Sequence, residues 1–215
     1  MAVVGVFTQV ARGCVSIGAM ATFDAREFTF GIEEELFLLR ADTRALVTRM
    51  PAAFLTACRQ QHDDAIGCEL LQSQVEITSP VFADGAVARR EMTALRRGLA
   101  REAAAQGMAV VAAGTCPLAY WRGQNVTDSA HYARLEDDYQ ILSQRNLICG
   151  LHVHVGVPAG IDRVRLMNRL MPWLPLFLAL SASSPFWNRR RTGLHSYRQS
   201  AYDEWPRTGI PDFFE

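Results

Sequence analysis

Residues 31–39, GIEEELFLL, set three consecutive glutamates, Glu33, Glu34 and Glu35, inside a run that otherwise reads as a buried strand. Phe28, Thr29 and Phe30 lead into it, and Leu36, Phe37, Leu38 and Leu39 complete it. Glutamate is a weak strand former, and adjacent like charges repel. Such a run either lies at an edge with its acids in water or meets a cation on one face. Successive strand side chains point to opposite faces, so Glu33 and Glu35 share one and Glu34 turns away.

The rest of the chain allows a substantial core for that strand. It has 215 residues, 49% of them hydrophobic, enough for one good-sized domain. Its formal net charge of +0 gives no global field that would favour nucleic acid or an anionic membrane. All 22 basic residues are arginine. The absence of lysine excludes a phosphate-loop lysine, a Schiff base and a lysine general base. The 5 cysteines, Cys14, Cys58, Cys68, Cys116 and Cys149, form no CxxC pair. A disulfide framework or zinc knot is therefore not expected, and a reducing, cytoplasmic compartment fits.

Residues 1–26 read as an N-terminal extension, with Met20 an alternative start. Their apolar run precedes Arg12, the reverse of a signal peptide. The apolar stretch 170–183 carries Pro172 and Pro175 and is too short to span a bilayer, so it is expected to be a core helix.

Patterning predicts a strand over 28–40, a turn at 41–44, a hairpin partner after it and a helix over 51–61. Residues 68–80 return to strand character. Asp84 then caps a long helix with Met92, Leu95 and Leu99 on one face and Gly107 beyond its end. The arginines of that helix, at 89, 90, 96, 97 and 101, read as a solvated face. A strand over 108–115, a helix over 130–146, a strand over 147–158 and a helix from Asp162 follow. The fold class is α+β, a mostly antiparallel sheet backed by helices on one face.

Paired carboxylates on one sheet face call for a cation, and hard divalent ions such as magnesium favour oxygen ligands. His152 and His154, in LHVHVGV, also share a strand face, and an imidazole beside carboxylates completes a magnesium or manganese site. Glu76 stands between Val75 and Ile77, where an unpaired buried carboxylate would cost several kcal/mol. Glu69 lies an odd number of residues before it, so one unbroken strand would point the two apart. Both serve one site only if the backbone turns or bulges between them. No GxSxG, HExxH, Walker or GxGxxG pattern competes.

In order along the chain, FTFGIEEELFLL, QSQVEITSP, AAGTCP, CGLHVHVGVP, SASSPFW and SYRQSAYDEWPRTGIP resemble the glutamate–cysteine ligase type 2 family of carboxylate–amine ligases. The resemblance covers residues 27–215 and implies a glutamine synthetase/guanido-kinase-like catalytic fold. It implies ATP and magnesium (or manganese) as cofactors, and small-molecule partners: glutamate, with cysteine or another amine. The implied activity is a weak γ-glutamylcysteine formation through an acyl phosphate. By the same resemblance, Glu33, Glu35, Glu69, Glu76 and His152 are metal-binding. Arg198 would bind the substrate carboxylate or the transferred phosphate, with Arg207 and His154 as further substrate-binding candidates. Family members run on further, so the chain is expected to be the N-terminal part of the catalytic domain. The alternative is a non-catalytic or split-gene remnant that binds metal-nucleotide or a complementary chain. Either form is compatible with a homo-oligomer, and neither needs nucleic acid or membrane.

Overall fold

The computed structural model describes residues 28–214; the expected extension over 1–26, with Met20 and Cys14, lies outside the described residues. The chain runs β1 (Thr29–Arg40), α1 (Ala52–His62), β2 (Ile66–Cys68), β3 (Gln74–Thr78), α2 (Gly85–Ala105) and β4 (Met108–Val111). It continues with α3 (Ala130–Tyr139), α4 (Ile141–Gln144), β5 (Leu151–Gly156), α5 (Arg163–Leu170), α6 (Leu174–Leu180), β6 (Phe186–Trp187), β7 (Arg190–Arg191) and α7 (Tyr197–Tyr202).

Strand β1 is long enough to serve three neighbours at once. One edge takes β3, setting Glu35 opposite Glu76, and β3 in turn pairs β2. The other edge takes β5 along its first half, with Glu33 opposite His152, and β4 along its second half. All of these pairings are antiparallel, which makes an α+β fold around a five-stranded sheet.

Alternation along β1 gives the sheet two different faces. Leu36, Leu38, Val75 and Ile77 turn to one side and pack against Phe54 and Cys58 of α1 and Met92, Leu99 and Ala103 of α2. Pro51 stands at the start of α1, where its missing N–H costs nothing. Asp84 caps α2 by accepting the Val87 N–H at 2.8 Å. On the opposite side Phe37 lies under a second apolar cluster formed by Leu70, Leu71, Cys116, Ala119, Leu147 and Cys149. The acidic half of that face has no such cover.

Glu34 points to the helix side, as alternation requires, and is buried there at 3% exposure. Its carboxylate accepts two hydrogen bonds from Arg96 of α2, at 2.5 and 2.7 Å. The cation facing the triple glutamate run on this side is thus Arg96. That corrects the solvated-face expectation for this arginine, whose side chain reaches Glu34 while half exposed.

Other boundaries differ for local reasons. The 68–80 run is a hairpin, because residues 69–73 turn between β2 and β3. The 130–146 helix breaks at Gln140, which adopts a positive φ of 48°. The strand expected over 147–158 begins at Leu151, since Leu147, Ile148 and Cys149 form a buried connection. The expected core helix over 170–183 is not a core element. Its prolines split it into a 3-10 turn, Met171–Trp173, and α6, and neither piece contains a buried residue. Among the described residues no helix is long and apolar enough to cross a membrane.

Replacing Arg96 by alanine strands the Glu34 carboxylate inside the helix layer. The expected loss is at the lower end of ~3–5 kcal/mol, because water reaches half of the pair. Urea unfolding checks this, and the double variant Glu34→Gln/Arg96→Met is expected to recover most of the loss.

Candidate metal and active site

The uncovered half of the sheet's second face collects the acids and histidines. Glu33 and Glu35 project from β1, Glu76 from β3 directly across from Glu35, and His152 from β5 directly across from Glu33. Directly opposed antiparallel residues share a face about 4.5–5.5 Å apart at their Cα atoms. His154, two residues on, stands opposite Gly31 on the same face.

Glu69 joins them from the turn after β2, the backbone break that its odd spacing to Glu76 requires. Segment 125–127 pins that turn. Thr127 donates its N–H to the Leu70 carbonyl at 2.8 Å and its hydroxyl to the Glu69 carbonyl at 2.5 Å. The Tyr132 hydroxyl lies 3.5 Å from the Glu69 carboxylate.

Within this group Glu33 and both histidines are closest. His154 Nε2 is 3.0 Å and His152 Nδ1 3.5 Å from the same Glu33 oxygen, Oε2. Ligand atoms of the three lie within 4.8 Å of one another, close enough to hold one metal ion. That trio is one carboxylate with two imidazoles; Glu35, Glu69 and Glu76 lie near enough to act on one another's charge, and carboxylate oxygens beside imidazole suit magnesium or manganese.

The protonation balance reflects crowding of like charge. Burial pushes the Glu35 carboxyl up; the Gly150 amide and Arg198 pull it back, while Glu76 and Glu33 push it further. Burial and neighbouring acids likewise raise Glu69 and Glu76. Glu33 is the exception: burial works against its charge, but bonds and charge from His154 and His152 hold it below the usual carboxylate range. Burial lowers His152, against the pull of Glu33 and with help from Arg198.

Arg198, on α7, lies at the edge of this group, and its charge acts on Glu35 and on His152. Its backbone N–H is held by the Ser184 hydroxyl at 3.0 Å, and its Nε is buried without a hydrogen-bond partner. Arg207 is exposed, with a positive φ of 63°, and lines a groove beside α5 and α6 rather than the acidic cluster.

Gly150 was not singled out from sequence. Its N–H donates to Glu35 Oε2 at 2.9 Å. A Cβ there would stand 2.6 Å from His152 Nε2 and 2.9 Å from Arg198 Nη2, so only glycine lets both groups close over this point. Its place directly before the two-histidine strand was the available signal. Gln74 was missed as well; fully buried, it donates to the Ile148 carbonyl at 2.6 Å and so holds the connection that carries Gly150.

Solved structures share this architecture. A crystal structure of glutamate–cysteine ligase from Francisella tularensis in complex with AMP superposes with a TM-score of 0.59 at 14% identity, over 74% of this chain and 35% of that one. A bifunctional glutathione synthetase from Pasteurella multocida gives 0.57 at 18% identity, over 76% and 24% respectively. At these identities the likeness concerns the fold alone.

Sequence carries the assignment further. The chain belongs to the glutamate–cysteine ligase family 2, whose sequence model matches residues 29–215. A relative from Ectopseudomonas mendocina, provisionally named glutamate–cysteine ligase 2, is 50% identical over 86% of this chain and 49% of its own. One from a Bradyrhizobium species, named in the same way, is 44% identical over 89% and 47%. The chain therefore spans about half the length of the curated relatives it matches.

Gly150→Ala is expected to leave the chain folded while displacing His152 and Arg198. Mn2+ affinity, read by electron paramagnetic resonance, is expected to fall about tenfold or more, in the range for groups that orient metal ligands.

Proposed function

We propose that the chain carries the metal and phosphate-handling part of an ATP-dependent carboxylate–amine ligase. The substrate is glutamate, and the amine is that of cysteine or a related acceptor. The observation behind this reading is the convergence of Glu33, Glu35, Glu76, His152 and His154 on one sheet face, with Glu69 beside them on the turn after β2 and Arg198 at the margin. Family membership supports the reaction class, and the chain's share of its relatives' length makes the complete activity a matter for experiment.

In this reading the γ-phosphoryl group of ATP passes to an oxygen of the glutamate side-chain carboxylate, giving ADP and an acyl phosphate. The acceptor amine attacks the acyl carbon, the C–N bond forms, and inorganic phosphate leaves. Magnesium, when bound, supplies neutralisation of phosphate charge, and Glu33, Glu35, Glu69, Glu76 and His152 would hold it, with His154 beside them. Arg198 binds and orients an anionic oxygen, of either the substrate carboxylate or the phosphoryl group; its planar fork suits both. Arg207, on the groove wall, is a weaker second candidate. Gly150 aims Glu35 through its amide and partly offsets the burial that makes this carboxyl harder to ionise. The chain has no lysine to share this work.

Calorimetric titration with ATP and magnesium tests the site. Metal-dependent binding is expected, and either Glu35→Gln or His152→Ala is expected to abolish it with the circular dichroism spectrum unchanged. Unchanged nucleotide affinity in both variants refutes the site. Release of ADP that requires glutamate and an amine together would show that the chain turns over unaided.

Metal-free stability supplies a second check. Glu35, Glu69 and Glu76 are harder to ionise in the folded chain than their ordinary value of 4.5, so folding keeps its full stability below that pH and loses some as pH rises through the elevated values. In EDTA, Glu35→Gln is therefore expected to melt higher than the parent at pH 8 and level with it at pH 4. Added Mg2+ is expected to close the gap at pH 8 by stabilising only the parent. A variant that melts lower at pH 8 contradicts this electrostatic account.

A further inference from the structure

A cavity of about 440 Å³ adjoins the acidic cluster at Glu69, which lines it. Helix α3 forms one wall, with Tyr132 and Leu135 three residues apart on one side and Tyr139 four residues further on. Segment 202–208 forms another wall with Tyr202 and Trp205. Three contacts fix that segment. The Trp205 ring packs on Tyr139 with centroids 4.9 Å apart, and Glu204 pairs with Arg145 at 2.9 Å. Thr208 donates its hydroxyl to the Trp205 carbonyl at 2.7 Å. Leu70, whose carbonyl accepts the Thr127 N–H at 2.8 Å, completes the lining. The cavity is thus built before any ligand enters, as small-molecule sites usually are.

Its lining suits one kind of group. Glu69 supplies a carboxylate, and Tyr132, Tyr202 and Trp205 supply aromatic rings, a combination that attracts an ammonium. Leu70 and Leu135 offer apolar surface to whatever carries that ammonium. No arginine is among the described lining residues, and the one imidazole, His131, is exposed. A carboxylate or phosphate entering here would meet the charge of Glu69 with no guanidinium to offset it. Anionic groups are served instead by Arg198, whose guanidinium lies over the Tyr202 ring at 5.8 Å and lines the separate groove beside α5 and α6. Tyr202 borders both spaces and divides a cationic from an anionic side.

We infer that this cavity is the acceptor subsite and that it selects a primary amine with an apolar or aromatic body and no carboxylate of its own. Glu69 draws the nitrogen to the end of the cavity nearest Glu35 and Glu76, and the body of the amine lies against Leu135 and Trp205. Cysteine fits poorly by this account, because its carboxylate stands one carbon from the nitrogen and would be carried toward Glu69 with it. The amine site follows from the lining alone; its part in the reaction rests on the ligase reading.

Calorimetric titration of the chain without nucleotide compares three probes: 2-phenylethylamine, 3-phenylpropionate, which exchanges the ammonium for a carboxylate, and cysteine. The amine is expected to bind about tenfold or more tightly than either of the others. Leu135→Trp fills the cavity and Trp205→Ala removes part of its wall. Each is expected to weaken the amine about tenfold or more with the circular dichroism spectrum unchanged. Absence of amine binding overturns the inference. So does equal or tighter binding of cysteine or phenylpropionate, or amine binding that both variants leave intact. Amine binding by a chain that takes up no magnesium–ATP keeps the site and removes the ligase reading alone. Magnesium–ATP binding without amine binding overturns the inference and leaves that reading standing.

Discussion

Side-chain alternation along β1 is the constraint from which the rest of the molecule follows. The strand exchanges hydrogen bonds with β3 on one edge and with β5 and β4 on the other, so its register is fixed from both sides. With register fixed, each glutamate of the triple run has a single direction available. Glu34 must enter the helix layer, and it is tolerable there because Arg96 meets it with two hydrogen bonds. Glu33 and Glu35 must emerge on the other face, where β3 and β5 deliver Glu76 and His152.

That second face is divided along the length of the strand. Phe37 continues the Glu33–Glu35 alternation but lies beneath an apolar cluster that includes Leu70, Leu147 and Cys149. The covered half anchors the connections that carry the site's accessory groups: the turn bearing Glu69 and the segment ending at Gly150. The uncovered half concentrates acids that resist ionisation. Stability and unfavourable charge thus occupy adjoining parts of one surface, a usual arrangement where side chains are poised for a ligand.

Much of this was legible in the residues. The strand of acids, the turn of Glu34 away from its neighbours and the Asp84 cap follow from periods of two and 3.6 and from capping chemistry. The break between Glu69 and Glu76 was deducible as a requirement, though not as a hairpin. What escaped depends on contacts distant in sequence. Helical spacing sets Arg96 beside Met92 and Leu99, but it also sets Arg89 beside Met92 and names no partner; only the packing of α2 against β1 selects Arg96. Gly150 acts through a backbone amide, which leaves no mark on side-chain chemistry. The stretch 170–183 has the composition of a core helix, and composition reports a demand for burial without naming the surface that meets it.

The double anchoring of β1 also bears on how this sequence can change length. One residue inserted between Gly31 and Glu35 would rotate the acids by half a pleat. Glu34 would move to the face of Glu76 and His152, and a site glutamate would enter the helix layer. The same slip would carry Leu36 and Leu38 out of the helix layer and Phe37 into it, so core packing and site geometry would be lost together. Length in this strand is therefore held by both faces at once, and insertions are expected to be confined to the turns, such as 41–44, that lie beyond its paired length.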